Sequence, residues 1–421
     1  MSAVHPAIVR PTLSVRPLKV PAIALAAIAL FAIHAWVIQV DGNSSLGRRA
    51  VLLGIVAVVS AGIHLGAPRL NERLRATGML LLGVLGATII GPIVVSHIMK
   101  LGVQGSRITG IVAVAGSIVL IAVGSTRLIR SARSIPRKLL ALPVAFVLLQ
   151  FMVVPLSMSV YVTNAAHPEL GTRTPADVGL DFEDVTIASE DGTRLAAWYV
   201  PSVNGSVVLL RHGSGSTRTS VLDHAAFLAR SGYGVLLTDA RGHGESGGRI
   251  NEWGWHGPED IAAALDFVQR RPDFTGSIGV LGLSMGGEEA VNAAAIDRRI
   301  ASVVADGAGV SSYNDSVVSG AHIVARSVNW IQFRSAQLLT DARQPVGVAA
   351  SMSQIGPRPV LLIAGSDPVE RKMGPIYKEK GGATVQLWRL EDTPHTGGLE
   401  KHGAEYRERV LRFFEQALLA E

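Results

Sequence analysis

The sequence contains no cysteine and few charged residues. The lack of cysteine excludes disulfides, thiolate zinc sites, iron–sulfur clusters and a cysteine nucleophile. Charged residues make up 17% of the 421 residues, against about 25% in typical globular domains, while hydrophobic residues make up 48%. So large an apolar fraction excludes a disordered chain. So little charge indicates that part of the chain lies in a membrane.

Acidic residues are nearly absent from positions 1–165, where only Asp41 and Glu72 accompany 15 Lys and Arg. This part carries +13, and the remainder, with 24 basic and 31 acidic residues, carries −7. The net charge of +6 therefore averages two unlike regions, and the basic excess belongs to loops that flank apolar stretches. No phosphate loop, nucleotide fingerprint or metal-ligand pattern is present. We therefore expect no nucleic-acid partner, no metal and no cofactor.

Apolar stretches dominate the first part of the chain, and none has a charged residue in its interior. A helix of about 20 apolar residues crosses the hydrocarbon layer. The first stretch is longer than the apolar core of a cleaved signal peptide. We interpret residues 1–165 as a membrane domain with about five transmembrane helices, at 21–40, 50–66, 78–99, 108–124 and 139–163.

The loops between these stretches differ in charge. Alternate loops hold 11 Lys and Arg against five in the others. This predicts a cytoplasmic amino terminus and, after an odd number of spans, a carboxy-terminal part outside the cytoplasm. Gly83, Ala87 and Gly91 form a ridge of small residues that permits close helix packing, and with it a homo-oligomer within the lipid bilayer.

Beyond a linker at 166–182, short apolar runs alternate with helical patterns over residues 183–421. The first two runs flank the turn at 190–192 and predict a hairpin, and the later runs, rich in Val, Leu and Ile, are typical of buried parallel strands. We predict an α/β domain with a mostly parallel eight-stranded sheet flanked by helices. The predicted strands are 183–189, 193–200, 206–213, 234–241, 277–284, 301–307, 359–365 and 384–391.

Two serines lie in a G-x-S-x-G pattern, Ser284 and Ser246. Ser284 follows a strand and precedes a helical pattern, as a nucleophile elbow requires, with Gly282 and Gly286 leaving room for a strained turn. Ser246 has no helical pattern after it, so we assign it to a loop. A serine nucleophile requires a histidine base, oriented in turn by a carboxylate.

His395 follows the last predicted strand and Asp367 follows the strand before it, so both are expected at the carboxyl edge of the sheet. The order Ser284, Asp367, His395 is the nucleophile–acid–base order of this architecture. Asp306, which ends another strand, is the alternative acid, and Asp367 could instead cap a turn or a helix.

An oxyanion needs two backbone donors. We predict the Met285 N–H, directly after the nucleophile, and the Ser214 N–H, in a glycine-containing loop after the third strand. His212 is expected to shape that loop through its own hydrogen bonds.

Together these motifs resemble the α/β-hydrolase superfamily, and are similar to its prolyl-oligopeptidase-like, serine-aminopeptidase-like and dienelactone-hydrolase-like members. The likeness covers the chain from about residue 180 onward and implies a Ser284–His395–Asp367 triad. It departs from the His-Gly-Gly-Gly pattern of lipases and esterases, because Ser214 follows Gly213. The motifs are RHGSG, DARGHGESGG, GLSMGG, GSDP and the loop that contains His395.

Residues 308–357 form the largest insertion, and four apolar residues within it fall on one side of a helix. Two interpretations stay open: a lid whose apolar face receives an acyl chain, or a helix packed on the core. Trp253, Trp255 and His256 are further candidates for lining the site. The four residues are Ile323, Trp330, Ile331 and Leu338.

The sequence thus predicts a membrane-anchored serine hydrolase that cleaves an ester, thioester or amide of a small-molecule or lipid-like acyl substrate through an acyl-enzyme. Two alternatives remain. One is an acyltransferase that uses the same triad. The other is a membrane transport or sensory protein whose hydrolase-like domain only binds a ligand.

Overall fold

The computed structural model describes residues 71–101, 107–131, 147, 149–340 and 342–419. The predicted spans at 21–40 and 50–66 lie outside the described residues. The next two predicted spans are long helices, α1 (Glu72–Leu101) and α2 (Arg107–Ser131).

Within the described residues, two segments are long and apolar enough to cross a membrane, Glu72–Val95 in α1 and Gly110–Ser131 in α2. The described part of the fifth predicted span is a π-helical turn, Leu149–Val153, followed by a shorter apolar helix, α3 (Val154–Thr163). The total number of spans and the sidedness of the chain stay predictions.

Glycines bring α1 and α2 into backbone contact. A Cβ atom on Gly83 would lie 2.6 Å from the Ser117 carbonyl oxygen, and one on Gly124 would lie 2.8 Å from the Ala76 carbonyl oxygen. Such close approach stabilises helix pairs in membranes. Gly83, from the predicted ridge, therefore packs within the chain, whereas the Cβ position of Gly91 has no neighbour within 4 Å.

Eight strands form one sheet in the order β1-β2-β4-β3-β5-β6-β7-β8. Strand β2 is antiparallel to β1 and to β4, and the other neighbouring pairs are parallel. The predicted, mostly parallel eight-stranded sheet with a leading hairpin is confirmed. The strands are β1 (Glu183–Ala188), β2 (Arg194–Val200), β3 (Val207–Arg211), β4 (Gly234–Thr238), β5 (Ile278–Leu283), β6 (Ile300–Asp306), β7 (Val360–Ala364) and β8 (Val385–Arg389).

Helices cover both faces of the sheet, because alternate strand residues point to opposite sides. On β3, Leu209 belongs to the buried core cluster on one face, and its neighbour Leu210 belongs to the cluster on the other face. The helices after α3 are α4 (Leu222–Arg230), α5 (Gly257–Gln269), α6 (Met285–Ile296), α7 (Tyr313–Val318), α8 (Ile323–Leu339), α9 (Val348–Ile355), α10 (Pro368–Gly381), α11 (Gly398–Lys401) and α12 (Gly403–Phe414).

The segment predicted as a linker packs on the hydrolase-like domain. Ala166 is fully buried, and the Gly244 N–H donates to the Pro168 carbonyl at 2.9 Å. Helix α3 is joined to the same domain, because the Glu252 N–H donates to the Val162 carbonyl at 3.0 Å. The end of the apolar helix is therefore in direct contact with the loops at the carboxyl edge of the sheet.

Candidate active site

Ser284 lies on a strained turn between β5 and α6, with φ of 52°. Its N–H donates to the Asp306 carbonyl at 2.7 Å, which fixes the turn against the end of β6. Side chains at the flanking glycines would not fit: a Cβ on Gly286 would lie 2.6 Å from the Arg211 carbonyl oxygen, and one on Gly282 would collide with Gly286. A serine held in this conformation is the geometry of a nucleophile elbow.

The structure brings Ser284 and His395 together, as predicted. The distance from Ser284 Oγ to His395 Nε2 is 2.8 Å, and the other ring nitrogen, Nδ1, lies 2.5 Å from Glu370 Oε1. Glu370 is only 2% exposed, and its second oxygen accepts the Gly365 N–H at 2.6 Å. A carboxylate at Nδ1 leaves Nε2 free to accept the serine proton.

Asp367, predicted as the orienting acid, does not contact His395, and that prediction is wrong. Its carboxylate caps α10, accepting the Val369 N–H at 2.8 Å and the Glu370 N–H at 3.3 Å. An aspartate at this position bonds to the first turn of its own helix. The carboxylate on the histidine is Glu370, the third residue of that helix.

The sequence does contain a signal for Glu370. Asp367, Pro368 and Glu370 match the pattern of a capping residue, a first-position proline and an acidic third residue that begins many helices. That pattern predicts a helix directly after β7, with Glu370 one turn inside it. A triad predicted from residues at strand ends alone leaves out this helix and, with it, Glu370.

Asp306, the alternative acid, is buried and accepts a hydrogen bond from the Tyr406 hydroxyl at 2.9 Å. Burial chiefly, and the nearby charge of Glu370 to a smaller extent, raise the pKa of Asp306 to about 7, although the hydrogen bond from Tyr406 acts in the opposite direction. Its carboxylate is therefore bonded to Tyr406, beneath the site, and Glu370 makes the direct contact with His395.

The pKa of His395 is raised above its usual 6.5, chiefly by the hydrogen bond to Glu370 and also by the negative charge of that group, although partial burial acts in the opposite direction. A carboxylate at Nδ1 stabilises the protonated ring more than the neutral one. The pair is thus suited to a histidine that gains a proton during a reaction.

The loop after β3 passes close to the nucleophile. A Cβ on Gly213 would lie 3.3 Å from the Ser284 Cβ, so a side chain there would crowd the serine. Ser214, the predicted second oxyanion donor, lines the same cavity as Ser284. Met285 is the first residue of α6, and the first N–H groups of a helix have no carbonyl partner within it.

Glu252 holds this loop in place, a role that the sequence analysis missed. Its Oε2 accepts the Ser214 hydroxyl and the Gly215 N–H, both at 2.6 Å, and lies 3.3 Å from His243 Nε2. Since the backbone of Glu252 also bonds to Val162, one residue joins α3 to the loop over the nucleophile. The only signal was its place in NEWGWHG, next to tryptophans predicted to line the site.

His212 shapes the loop, as predicted. Its Nδ1 lies 2.8 Å from the Gly213 carbonyl oxygen, and its Nε2 accepts the Ala240 N–H at 2.9 Å. Burial lowers the pKa of His212 well below 6.5, so the ring is neutral. Ser246 is likewise structural: its hydroxyl donates to the Asp239 carbonyl at 2.8 Å and accepts the Ala196 N–H at 2.9 Å.

Ser284 and His395 open into a cavity of about 1440 Å³. Its walls come from the loop after β3, from α4, and from α11 and α12, and charged side chains lie beside apolar ones. The charged and titratable lining residues are Asp177, Asp223, His224, Arg230, Glu400 and Arg407. Among the described residues, no three His, Asp or Glu side chains come together as metal ligands.

No described residue of the insertion at 308–357 lines this cavity. The predicted apolar side of α8 exists but faces outward, with Ile323 72%, Trp330 50% and Leu338 89% exposed. The opposite side of α8 is buried, and its Phe333 packs on Trp253 at 4.6 Å between ring centroids.

Helix α8 thus packs on the core, but through the side opposite the stripe, and the lid stays a prediction. The two tryptophans predicted to line the site, Trp253 and Trp255, stack on each other at 5.3 Å beneath α8 instead.

Comparisons with known proteins found one matching family model, several related sequences and similar solved structures. Residues 155–361 match the model of a family described as X-Pro dipeptidyl-peptidase (S15 family). The match includes Ser284 but ends before Glu370 and His395. A solved structure of the Pyrococcus furiosus esterase Pf2001 is 25% identical, with a TM-score of 0.49, over 60% of this chain and 98% of that chain.

Curated relatives are similar over part of the chain. The uncharacterized protein Rv2307c of Mycobacterium tuberculosis is 31% identical over 186 residues, which are 43% of this chain and 60% of that protein. The uncharacterized protein YfhR of Escherichia coli K12 is 27% identical over 56% of this chain and 81% of its own length. The thiohydrolase aneE of Aspergillus aculeatus is 30% identical over 29% of this chain and 40% of its own length. The strand order and the strained turn at Ser284 are those of an α/β-hydrolase fold, and the family match overlaps this part of the chain.

Proposed function

We propose that the protein is a membrane-anchored serine hydrolase that forms an acyl-enzyme on Ser284. The observation that carries the proposal is the continuous row from Ser284 Oγ to His395 Nε2, at 2.8 Å, and from His395 Nδ1 to Glu370, at 2.5 Å. Hydroxyl, imidazole and carboxylate in this order are the groups that activate a serine for attack on a carbonyl carbon.

In the first half of the reaction, the Ser284 Oγ attacks the acyl carbon while its proton moves to His395 Nε2. Glu370 stabilises the resulting imidazolium. The negative oxygen of the tetrahedral intermediate accepts hydrogen bonds from the Met285 and Ser214 N–H groups. The bond to the leaving group then breaks, and the leaving group takes the proton from His395.

In the second half, a water molecule replaces the leaving group. His395 removes a proton from the water as the water oxygen attacks the acyl-enzyme carbonyl. The Ser284 Oγ then leaves with the proton returned by His395, which releases the acid and restores the enzyme. Transfer to an alcohol instead of water would use the same steps, and no feature of the cavity favours it.

The cavity supports a substrate that carries polar groups. Acidic and basic side chains from α4 and α12 share the wall with Phe227, Leu399 and Leu411. A pocket for a plain hydrocarbon chain would be lined mainly by apolar residues. We therefore propose that the substrate is an ester, thioester or amide that carries hydrogen-bonding groups near its acyl carbon.

Membrane anchoring is supported by α1 and α2. Their outward sides carry apolar residues, including Leu81, Leu85, Ile118 and Val119, which are exposed in the isolated chain. Burial of such surface in lipid is favourable, and a helix has no unpaired backbone groups in its interior. The hydrolase domain then works at the membrane surface, because α3 leads into it directly.

The test compares Ser284→Ala with Ser246→Ala, the second match to the same motif. We expect Ser284→Ala to abolish labelling by a fluorophosphonate probe and turnover of p-nitrophenyl esters. Ser246→Ala should keep the labelling at a lower melting temperature, because it removes two buried hydrogen bonds. Undiminished labelling of Ser284→Ala would refute the assignment of the nucleophile.

A further inference from the structure

Helix α8 has an outward side that no other described part of the chain covers. Ile323, Trp330 and Leu338 are half or more exposed, while Val328, Phe333 and Ala336 on the other side are buried. Ser327 and Arg334 interrupt this stripe, and large exposed apolar side chains gathered on one side of a helix mark a contact surface. Arg334 is the charged residue within it, and its guanidinium donates to Gln337 at 3.0 Å.

Two hydrogen bonds give the level of α8 relative to the candidate membrane span of α1. The Ser159 hydroxyl of α3 donates to the Gln332 carbonyl of α8 at 2.6 Å. Two residues earlier on α3, the Ser157 hydroxyl donates to the Thr88 carbonyl of α1 at 3.2 Å. Thr88 lies inside the candidate span Glu72–Val95. Helix α8 is therefore level with the half of that span that ends at Val95.

The direction of α8 follows from its two ends. At the carboxyl end, the Leu339 carbonyl accepts a hydrogen bond from Arg249, a residue of the hydrolase-like domain. Elsewhere α8 contacts the turn Leu149–Val153, which precedes α3 and lies farther from that domain. The Ile323 end therefore points away from the catalytic domain and toward the membrane helices.

We infer that α8 is an interfacial membrane helix, tilted alongside α3, whose outward side, formed by Ile323, Trp330 and Leu338, faces lipid from the headgroup layer at Leu338 to the acyl chains at Ile323. The inference rests on the proposed membrane anchor. Exposed apolar side chains on α3, Val154 and Met158, continue the same surface toward α1.

The composition of the stripe fits this boundary. Tryptophan is enriched at the level of the headgroups, and an arginine can extend its charged end toward water while its stem stays in the apolar layer. Ile323 should lie deepest and Leu338 nearest the water.

This arrangement has a consequence for catalysis. The buried side of α8 packs on Trp253, whose neighbour Glu252 holds the loop over Ser284. An interfacial α8 would fix the distance of the catalytic edge from the bilayer, so substrates dissolved in or near the headgroup layer would reach Ser284 without leaving the membrane surface.

Because the chain has no cysteine, a single introduced cysteine can carry a nitroxide label at one chosen site. The full chain would be labelled at Ile323→Cys, Trp330→Cys or Leu338→Cys and placed in vesicles of phosphatidylcholine with a minor fraction of phosphatidylglycerol. Val203→Cys is the matched control, since Val203 is also apolar and 88% exposed but lies in a loop of the hydrolase-like domain. Leu81→Cys, on α1, reports the membrane span.

The measurement is the ratio of collision rates of the label with oxygen and with a charged nickel chelate. Oxygen partitions into hydrocarbon and the chelate does not, so we expect the ratio at Ile323 to exceed that at Val203 on the order of three-fold or more, with Trp330 and Leu338 in between.

A ratio at Ile323 equal to that at Val203, with a high ratio at Leu81, would overturn the inference while the anchor stands. Dipolar broadening between labels at Ile323 would show a second copy on this side and would also overturn it. A low ratio at Leu81 would refute the anchor and the inference together. Fluorophosphonate labelling of Ser284 in the same vesicles tests the proposed hydrolase activity separately.

Discussion

Helices α8 and α10 both follow strands that end at the catalytic edge, yet only α10 contributes to the site. Three residues separate β7 from α10, so the first turn of α10 must lie beside the strand ends, and Glu370 reaches His395. A longer connection that contains α7 leads from β6 to α8, which lies against α3 with its apolar stripe outward. The short connection before α10, and not the composition of the helix, brings α10 close to the nucleophile.

The largest effect should separate the two acids at the start of α10. We expect Glu370→Gln to lower kcat on the order of 10³-fold or more, because a neutral amide stabilises the imidazolium poorly. Asp367→Asn should change kcat by less than about two-fold, since asparagine caps a helix as well as aspartate does. Steady-state ester hydrolysis measures both, and a larger loss in Asp367→Asn would reverse the assignment.

A smaller effect should separate the two sides of α8. Phe333→Ala removes a buried ring from its contact with Trp253 and should lower the free energy of unfolding by about 3–5 kcal/mol. Trp330→Ala, on the exposed side, should change it by no more than about 0.5 kcal/mol in detergent micelles. Denaturant unfolding compares the two variants, and equal losses would contradict the described orientation of α8.

Glu252 joins α3 to the loop over Ser284. Glu252→Gln weakens the bonds to the Ser214 hydroxyl and the Gly215 N–H, so the oxyanion donor is held less firmly. We expect kcat to fall by roughly 10- to 100-fold with little change in KM, because the lost interaction acts in the transition state. Glu259→Gln, a change at an exposed nearby glutamate, is the control. A rise in KM alone would show that Glu252 acts on substrate binding instead.

Much of the fold could be predicted, because the strands are short apolar runs bounded by turn residues. Ser284 and His395 could be predicted for the same reason, since Ser284 directly follows β5 and His395 lies in the short loop after β8. Glu370 could not be found by that rule, because it lies inside a helix whose outward residues are mostly polar and whose start is marked only by Asp367 and Pro368.

The stripe on α8 shows a different limit of prediction from the sequence. The spacing of Ile323, Trp330 and Leu338 correctly predicts that they share one side of a helix. Periodicity does not say what that side faces, because lipid, a partner and the protein core select the same apolar residues. The buried side is marked by Val328, Phe333 and Ala336, and only the packing distinguishes the two.

The central claim is that Glu370, through His395, activates Ser284. The most direct test is the pH dependence of the rate at which a fluorophosphonate labels Ser284. Only the neutral ring of His395 can accept the serine proton, and its pKa is raised by Glu370. The wild-type rate should therefore rise with pH through a pKa above 6.5, whereas in Glu370→Gln the plateau should be lower and the rise should move to lower pH. An unchanged plateau and an unchanged pKa in Glu370→Gln would contradict the claim.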